Sequence, residues 1–160
     1  MSIWRRTMFC GVTAVIVSAV ALAGDKPKDG MKIVDSGSFG VFMNGRRVAT
    51  ETFSIQQGPN GSIATSEFKT DQGNSSQTSQ TSELDLSSSG DIRKYEWKEL
   101  SPGKAQATVV PANEFLTEKI KKTQDDKAEE QPFLLPASTS ILDDYFFSQR
   151  QILIWRYMPN

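Results

Sequence analysis

The sequence predicts a mainly β protein of the α+β type: a curved antiparallel meander of about 6–7 strands with one C-terminal helix packed on its concave face. Three observations lead there. Asn44-Gly45 separates two strand-like runs, the strongest short hairpin signal a sequence carries. Period-two alternation recurs through the middle of the chain and is clearest from Ile92 to Leu100, where Tyr95 and Trp97 share one face while Lys94, Glu96 and Lys98 share the other. Only beyond Ser138 does the apolar spacing change to a helical period.

Taken in order, the domain is expected to begin at Ser36, with strands from Ser38 to Met43 and from Arg46 to Ile55. Both residues of the intervening turn tolerate the positive φ that a type I′ turn requires. In the second strand Ala49, Glu51, Phe53 and Ile55 fall on one face, and Val48, Thr50, Thr52 and Ser54 on the other. Gly58-Pro59-Asn60-Gly61 marks a second turn and Ser62 to Thr70 a third strand. Asp71 to Gln80 is a low-complexity run of Gln, Ser, Thr, Asn and Gly, expected as a mobile connection because it has no side chain able to build a core.

Ser82 to Leu86 reads as a fourth strand with Leu84 and Leu86 inward, closed by Ser87-Ser88-Ser89-Gly90. Ile92 to Leu100 is the fifth, Ala105 to Val110 a sixth ended by Pro111, and Phe115 to Ile120 a seventh. Lys121 to Gln131 is expected as a charge-dense loop. The helix is expected from Ile141 to Trp155, on the recurrence of Ile141, Leu142, Tyr145, Phe146, Ile152 and Leu153. Ser140 and Asp143 resemble a capping box at its start, and Asp143-Asp144 suit the positive end of the helix dipole. Ile152, Leu153, Ile154, Trp155, Tyr157 and Met158 cover every side of this helix, which leaves three readings: a partner or lipid covers it, the segment is a buried strand, or the domain is an incomplete half-barrel lacking the half that would complete its core.

The first 23 residues read as an address. Arg5-Arg6 precedes an apolar run from Met8 to Leu22, and Ala21-Leu22-Ala23 supplies small residues at the two positions a signal peptidase reads. Retention as a membrane anchor is the competing interpretation, but Gly11, Thr13 and Ser18 dilute the run. Cys10 lies before the apolar core, not after it, which is wrong for lipid modification, and the flanks of Arg5-Arg6 match a twin-arginine signal poorly. The expected organisation is a signal peptide over 1–23, a flexible arm over 24–35 and one β-rich domain over 36–160, exported to the periplasm or the extracellular space.

Cleavage after Ala23 would leave 137 of the 160 residues, with 16 Lys and Arg against 19 Asp and Glu, so that the formal net charge moves from −1 to −3. A weakly acidic chain without a dense basic stripe argues against nucleic acid as a partner. The single cysteine falls in the leader, so the mature domain has neither a disulfide nor a thiol nucleophile. The chain has no histidine, which removes Ser-His-Asp triads, histidine metal sites and imidazole acid–base chemistry. No cofactor, metal site or catalytic constellation is expected.

Carboxylates are the chemistry that remains. Glu83 and Asp85 project from one face of a strand, and Glu51 sits beside Phe53 on another; such groups cleave glycosidic bonds or hold calcium when they converge. A solvated polar face is the plainer interpretation, since no acidic loop has the density of oxygens that Ca²⁺ needs. Tyr95 and Trp97 suit stacking on a sugar or a lipid chain as well as packing in a core.

From Phe39 to Phe53, the order of aromatic strand, Asn-Gly turn and strand bearing a glutamate beside an aromatic resembles the start of exported bacterial proteins of unknown function. Those are thought to share the curved, half-open sheet of the periplasmic lipoprotein-carrier and lipid-binding group. The resemblance implies a non-enzymatic binding protein for an apolar ligand, a lipid or an acyl chain, with a helix in the hollow of the sheet. The side chains expected to line the ligand site are Phe53, Tyr95, Trp97, Tyr145, Phe146 and Trp155. A structural or assembly protein of the cell envelope, docking through its apolar C-terminal segment, is the alternative. Membrane contact is expected only through the signal peptide or transiently.

Overall fold

The computed structural model describes residues 30–71 and 77–157. Eight antiparallel strands form one open sheet in strict sequence order: β1 (Lys32–Met43), β2 (Arg46–Gly58), β3 (Gly61–Thr70), β4 (Ser79–Ser87), β5 (Ile92–Ser101), β6 (Gln106–Ala112), β7 (Phe115–Lys121) and β8 (Glu129–Leu134). One helix, α1 (Ser148–Tyr157), follows and packs in the hollow of the sheet. The expected fold class is therefore observed, with one strand more than the six or seven anticipated. The signal peptide and residues 24–29 of the arm lie outside the described residues, as do residues 72–76 of the low-complexity run.

The hairpin turns follow the chemistry of their residues. Asn44 and Gly45 adopt φ of 50° and 74°, the left-handed pair that a type I′ turn needs. Gly61, at φ 143°, lies so close to the Leu86 carbonyl that a Cβ would sit 2.0 Å from its oxygen, so no other residue fits there. Register shifts bend the sheet at four places, two along β1–β2 and two along β4–β5. Each leaves an extra residue in one strand and adds local twist.

On β2 the inward row is Ala49, Glu51, Phe53 and Ile55, as the alternation anticipates. It faces Ala64, Ser66 and Phe68 of β3, which in turn face Leu84, Ser82 and Gln80 of β4. The main core joins Phe53, Ile55, Ala64, Leu84, Leu86, Ile92, Tyr95 and Leu116, with Ile141 and Ile152 packed over it. A second cluster holds Ala49, Phe68 and Phe146.

Several expectations are corrected. The segment from Lys32 to Asp35, expected as flexible arm, pairs with Ile55 to Gln57 and begins β1, because a β2 of 13 residues offers a partner to a longer β1. Ser79 and Gln80 leave the low-complexity run to pair with Lys69 and Phe68. Pro111 does not end β6 but pairs opposite Leu116. Glu129–Gln131, expected in a loop, belong to β8, an edge strand exposed along its whole length. With neither face buried it has no reason to alternate, so no pattern announces it.

The helix begins at Ser148, seven residues later than expected. A helix running from Ile141 would send the Phe147 and Ser148 amides to the carbonyls of residues 143 and 144. Instead, both amides donate to the Glu51 carboxylate on β2. The anticipated capping box does not form, and Asp143-Asp144 lie before the helix, not in its first turn.

Candidate functional site

Two features meet where α1 crosses the sheet: a buried polar anchor and an apolar groove. The anchor is built on Glu51, whose inward position on β2 leaves it with no solvent exposure. Its Oε2 accepts from the Phe147 amide at 2.7 Å and its Oε1 from the Ser148 hydroxyl at 2.6 Å, while the Ser148 amide is shared between the two oxygens at 3.3 Å each. Since the Ser148 hydroxyl gives its proton to Glu51, the 2.9 Å contact between Ser66 Oγ and Ser148 Oγ has Ser66 as donor. A carboxylate supplied by the sheet thus satisfies the orphan amides of the first helical turn, where the helix dipole favours negative charge.

Next to the anchor, Tyr95 donates its hydroxyl proton to Asp143 Oδ2 at 2.8 Å, and Asp143 Oδ1 accepts from the Tyr145 amide at 2.9 Å. Burial pushes the Tyr95 phenol well above its ordinary range, and the Asp143 charge and hydrogen bond add to the shift. Gln149 lies on the buried side of α1, and its Oε1 accepts from the Asp143 amide at 2.7 Å. That bond fixes the orientation of the amide, because a backbone N–H can only donate. The Gln149 Nε2 is sealed from solvent, and the Gln149 amide acts on the Tyr95 phenol, opposing part of its rise.

The groove, about 430 Å³, runs between α1, the segment 139–141 and the β2–β3 and β4–β5 turns. Leu84, Leu86 and Ile92 form its floor; Ile141, Ile152, Leu153, Trp155 and Gln149 form its walls. Ser88 and Ser89 stand at its rim. Arg156 ties the rim together, donating to the Gly90 and Thr139 carbonyls at 3.1 and 3.2 Å and pairing with Asp91 at 3.3 Å. A cleft of this size, aliphatic at its floor and lined around its edge by Gln57, Ser62, Ser87, Thr139 and Ser140, lies within the roughly 300–1,000 Å³ usual for small-molecule sites.

The six side chains expected to line a ligand site do not converge. Trp155 lines the groove, half-exposed. Phe53 and Tyr95 are core residues. Trp97 packs beside both clusters and donates to Gln80 Oε1 at 3.2 Å. Phe146 has no exposed surface, and Tyr145 leans on Phe68 with ring centroids 5.4 Å apart. Sequence reasoning did not single out Gln149, Ile141 or Arg156 as site residues; Gln149 at an otherwise apolar helix position was the available signal.

The carboxylates are divided between the two faces of the sheet. Glu83 and Asp85 share the outer face, away from Glu51, so the three do not face one cleft. On that face Glu83 lies opposite Glu96, which is flanked by Lys94 at 2.8 Å and Lys98 at 3.8 Å. The hydrogen bond from Lys94 holds the Glu96 carboxyl below its usual range. A polar hollow of about 390 Å³ on this face is lined by hydroxyls and charges, Thr52, Ser54, Thr65 and Glu67 among them. No group of three or more Asp, Glu, Cys or His side chains placed to hold a metal occurs among the described residues, and no helix among them is long and apolar enough to cross a membrane. Comparison of the chain with protein-family models, curated proteins and solved structures gives no match.

Proposed function

We propose that the protein is an exported, non-enzymatic binding protein for an apolar ligand, a lipid or an acyl chain, held in the groove between α1 and the sheet. The observation that carries this reading is the groove itself: aliphatic floor and walls, one buried amide and a rim of serines, open beside the half-exposed Trp155. Apolar surface removed from water there gains roughly 25 cal/mol per Å², so a chain laid against Ile152, Leu153 and Trp155, which the fold leaves partly exposed, has a driving force. Export rests on the leader-like segment over 1–23.

Native mass spectrometry of the protein purified from its own envelope tests the proposal. A lipid-mass adduct is expected, and Ser88→Trp, which places a large ring at the mouth from an exposed position, is expected to abolish it. Absence of any adduct in the parent protein overturns the reading.

Exposed Ile154, Trp155 and Tyr157 on α1 favour the second reading, an envelope assembly protein that docks through this end. Under it, a stable protein complex forms without lipid and dissociates on Trp155→Asp.

A further inference from the structure

We infer that Asn44 is a site of spontaneous modification: the main-chain nitrogen of Gly45 displaces its side-chain amide, and the tip of the first hairpin acquires a carboxylate without any enzyme. Two Asn-Gly pairs lie among the described residues, Asn44-Gly45 and Asn60-Gly61. In each, the attacking nitrogen belongs to a glycine, which has no side chain to shield it. Their folded surroundings differ.

Asn44 and Gly45 are exposed and belong to neither strand of the hairpin they join. The Gly45 amide has no acceptor among the described residues, and a Cβ placed on Gly45 would meet nothing within 4 Å. Closure of a ring between the Gly45 nitrogen and Asn44 Cγ eclipses that nitrogen with Cβ, at ψ of about −120°; with φ of roughly +60°, this is the first central position of a type II′ turn, the other two-residue turn that hairpins favour. Asn44 already has φ 50°, so rotating the peptide between Asn44 and Gly45 carries the turn from type I′ to type II′ while the strands keep their places. Gly45 permits this, because its φ passes from 74° to a negative value and glycine visits both signs freely.

Asn60 has the same successor without the same freedom. It lacks the positive φ of Asn44. Gly61 is buried, begins β3, and pairs with Gly58 on one side and Ser87 on the other. It is held at φ 143°, with the Leu86 carbonyl oxygen 2.0 Å from where a Cβ would stand. Turning the peptide between Asn60 and Gly61 therefore requires the ladder to open first.

The reaction at Asn44 balances with water as its one co-reactant. Base removes the Gly45 amide proton, the nitrogen bonds to Asn44 Cγ, and the C–N bond of the side-chain amide breaks, releasing ammonia that takes up the proton. Water then opens the succinimide. Cleavage of the ring at Cγ leaves aspartate, and cleavage at the main-chain carbonyl leaves isoaspartate, whose chain runs through the side chain. The second product adds one carbon to a two-residue loop, so the pairing of Phe42 and Met43 with Arg47 and Arg46 has to adjust.

Incubation of the folded protein in mildly alkaline buffer, followed by mass spectrometry of its tryptic peptides, is the test. The two sites fall in separate peptides, Asn44 in Ile33–Arg46 and Asn60 in Val48–Lys69, so each serves as the other's control without any substitution. Conversion of Asn44 to the acid is expected to outrun that of Asn60 by at least about tenfold in rate. In concentrated urea, where both pairs lose their turns, the two rates are expected to converge. Asn44 left intact in the folded protein overturns the inference, and so do equal rates at the two sites. A preference for Asn44 that persists undiminished in urea also overturns it, by assigning the difference to local sequence and not to the turn.

Discussion

β2–β5 and β6–β8 are both antiparallel ladders of one sheet, yet they are held in different ways. β2–β4 present an inward row in which nearly every second residue is buried, β5 adds Ile92 and Tyr95, and α1 with its leading segment closes over them. In β6–β8, Leu116 is the buried side chain, and β8 is exposed along its whole length. Strand pairing alone adds modest net free energy, because each ladder hydrogen bond replaces one to water. Burial therefore decides where stability resides. The ion pairs that dress the second ladder, Lys119–Glu130 at 2.9 Å and Lys122–Glu129 at 3.1 Å, join well-exposed partners and contribute little.

The largest test of this contrast is a matched pair of truncations. Phe146→Ala removes a ring with no exposed surface from the cluster with Ala49 and Phe68, and is expected to cost about 3–5 kcal/mol in urea unfolding. Phe133→Ala on β8, where the ring is 44% exposed, is expected to cost less than about 1 kcal/mol. Similar costs for the two would mean that β6–β8 are covered in solution by something the chain itself does not supply. Hydrogen exchange adds resolution: amides of β7 and β8 are expected to exchange well before those of β2–β4.

How much of this was legible in the sequence follows the same division. Alternation on β2, β4 and β5 reports directly which residues are buried, because one face of each meets the core. The Asn44-Gly45 turn is equally readable, since its conformation depends on its own two residues. β8 is silent because exposure leaves its side chains free of any pattern. The helix start is silent for another reason. The group that decides it, Glu51, lies 97 residues away from Ser148, and no local spacing can announce a cap that arrives from another strand. Alternation did place a carboxylate on the apolar face of β2, and a charge in such a position calls for a partner. The identity of that partner is a tertiary fact.

The anchor supplies the next effect in size. Glu51→Ala strips the acceptors from the Phe147 and Ser148 amides and the Ser148 hydroxyl in a site closed to water. A loss of about 2–4 kcal/mol is expected, given 1–3 kcal/mol for each buried group left unsatisfied and partial relaxation of the first turn. Glu51→Gln, which retains one acceptor oxygen, is expected to lose about half as much. Because the damage falls on α1 and the sheet retains its ladder, the helical part of the circular dichroism signal should melt at a lower temperature than the strand signal. Coincident melting of both signals would show that helix and β2–β5 are one cooperative unit.

The smallest effect concerns Tyr95, which pairs with Leu84 on β4 and Val109 on β6 and so belongs to both ladders. Burial, the Asp143 charge and the hydrogen bond to it raise its phenol above the ordinary value of 10.0. Above pH 10 the unfolded chain releases this proton while the folded protein keeps it. The folded state then binds more protons than the unfolded one, and stability must fall as pH rises. The contribution is intact below pH 10 and declines by at most about 1.4 kcal/mol for each further pH unit. Tyr95→Phe has no proton to retain, so the stability difference between parent and variant is expected to shrink by about 1 kcal/mol between pH 9 and pH 11. A constant difference across that range would mean that the phenol reaches solvent in the folded protein. The junction between the two ladders would then open more readily than the packing of Tyr95 beneath Asp143 implies.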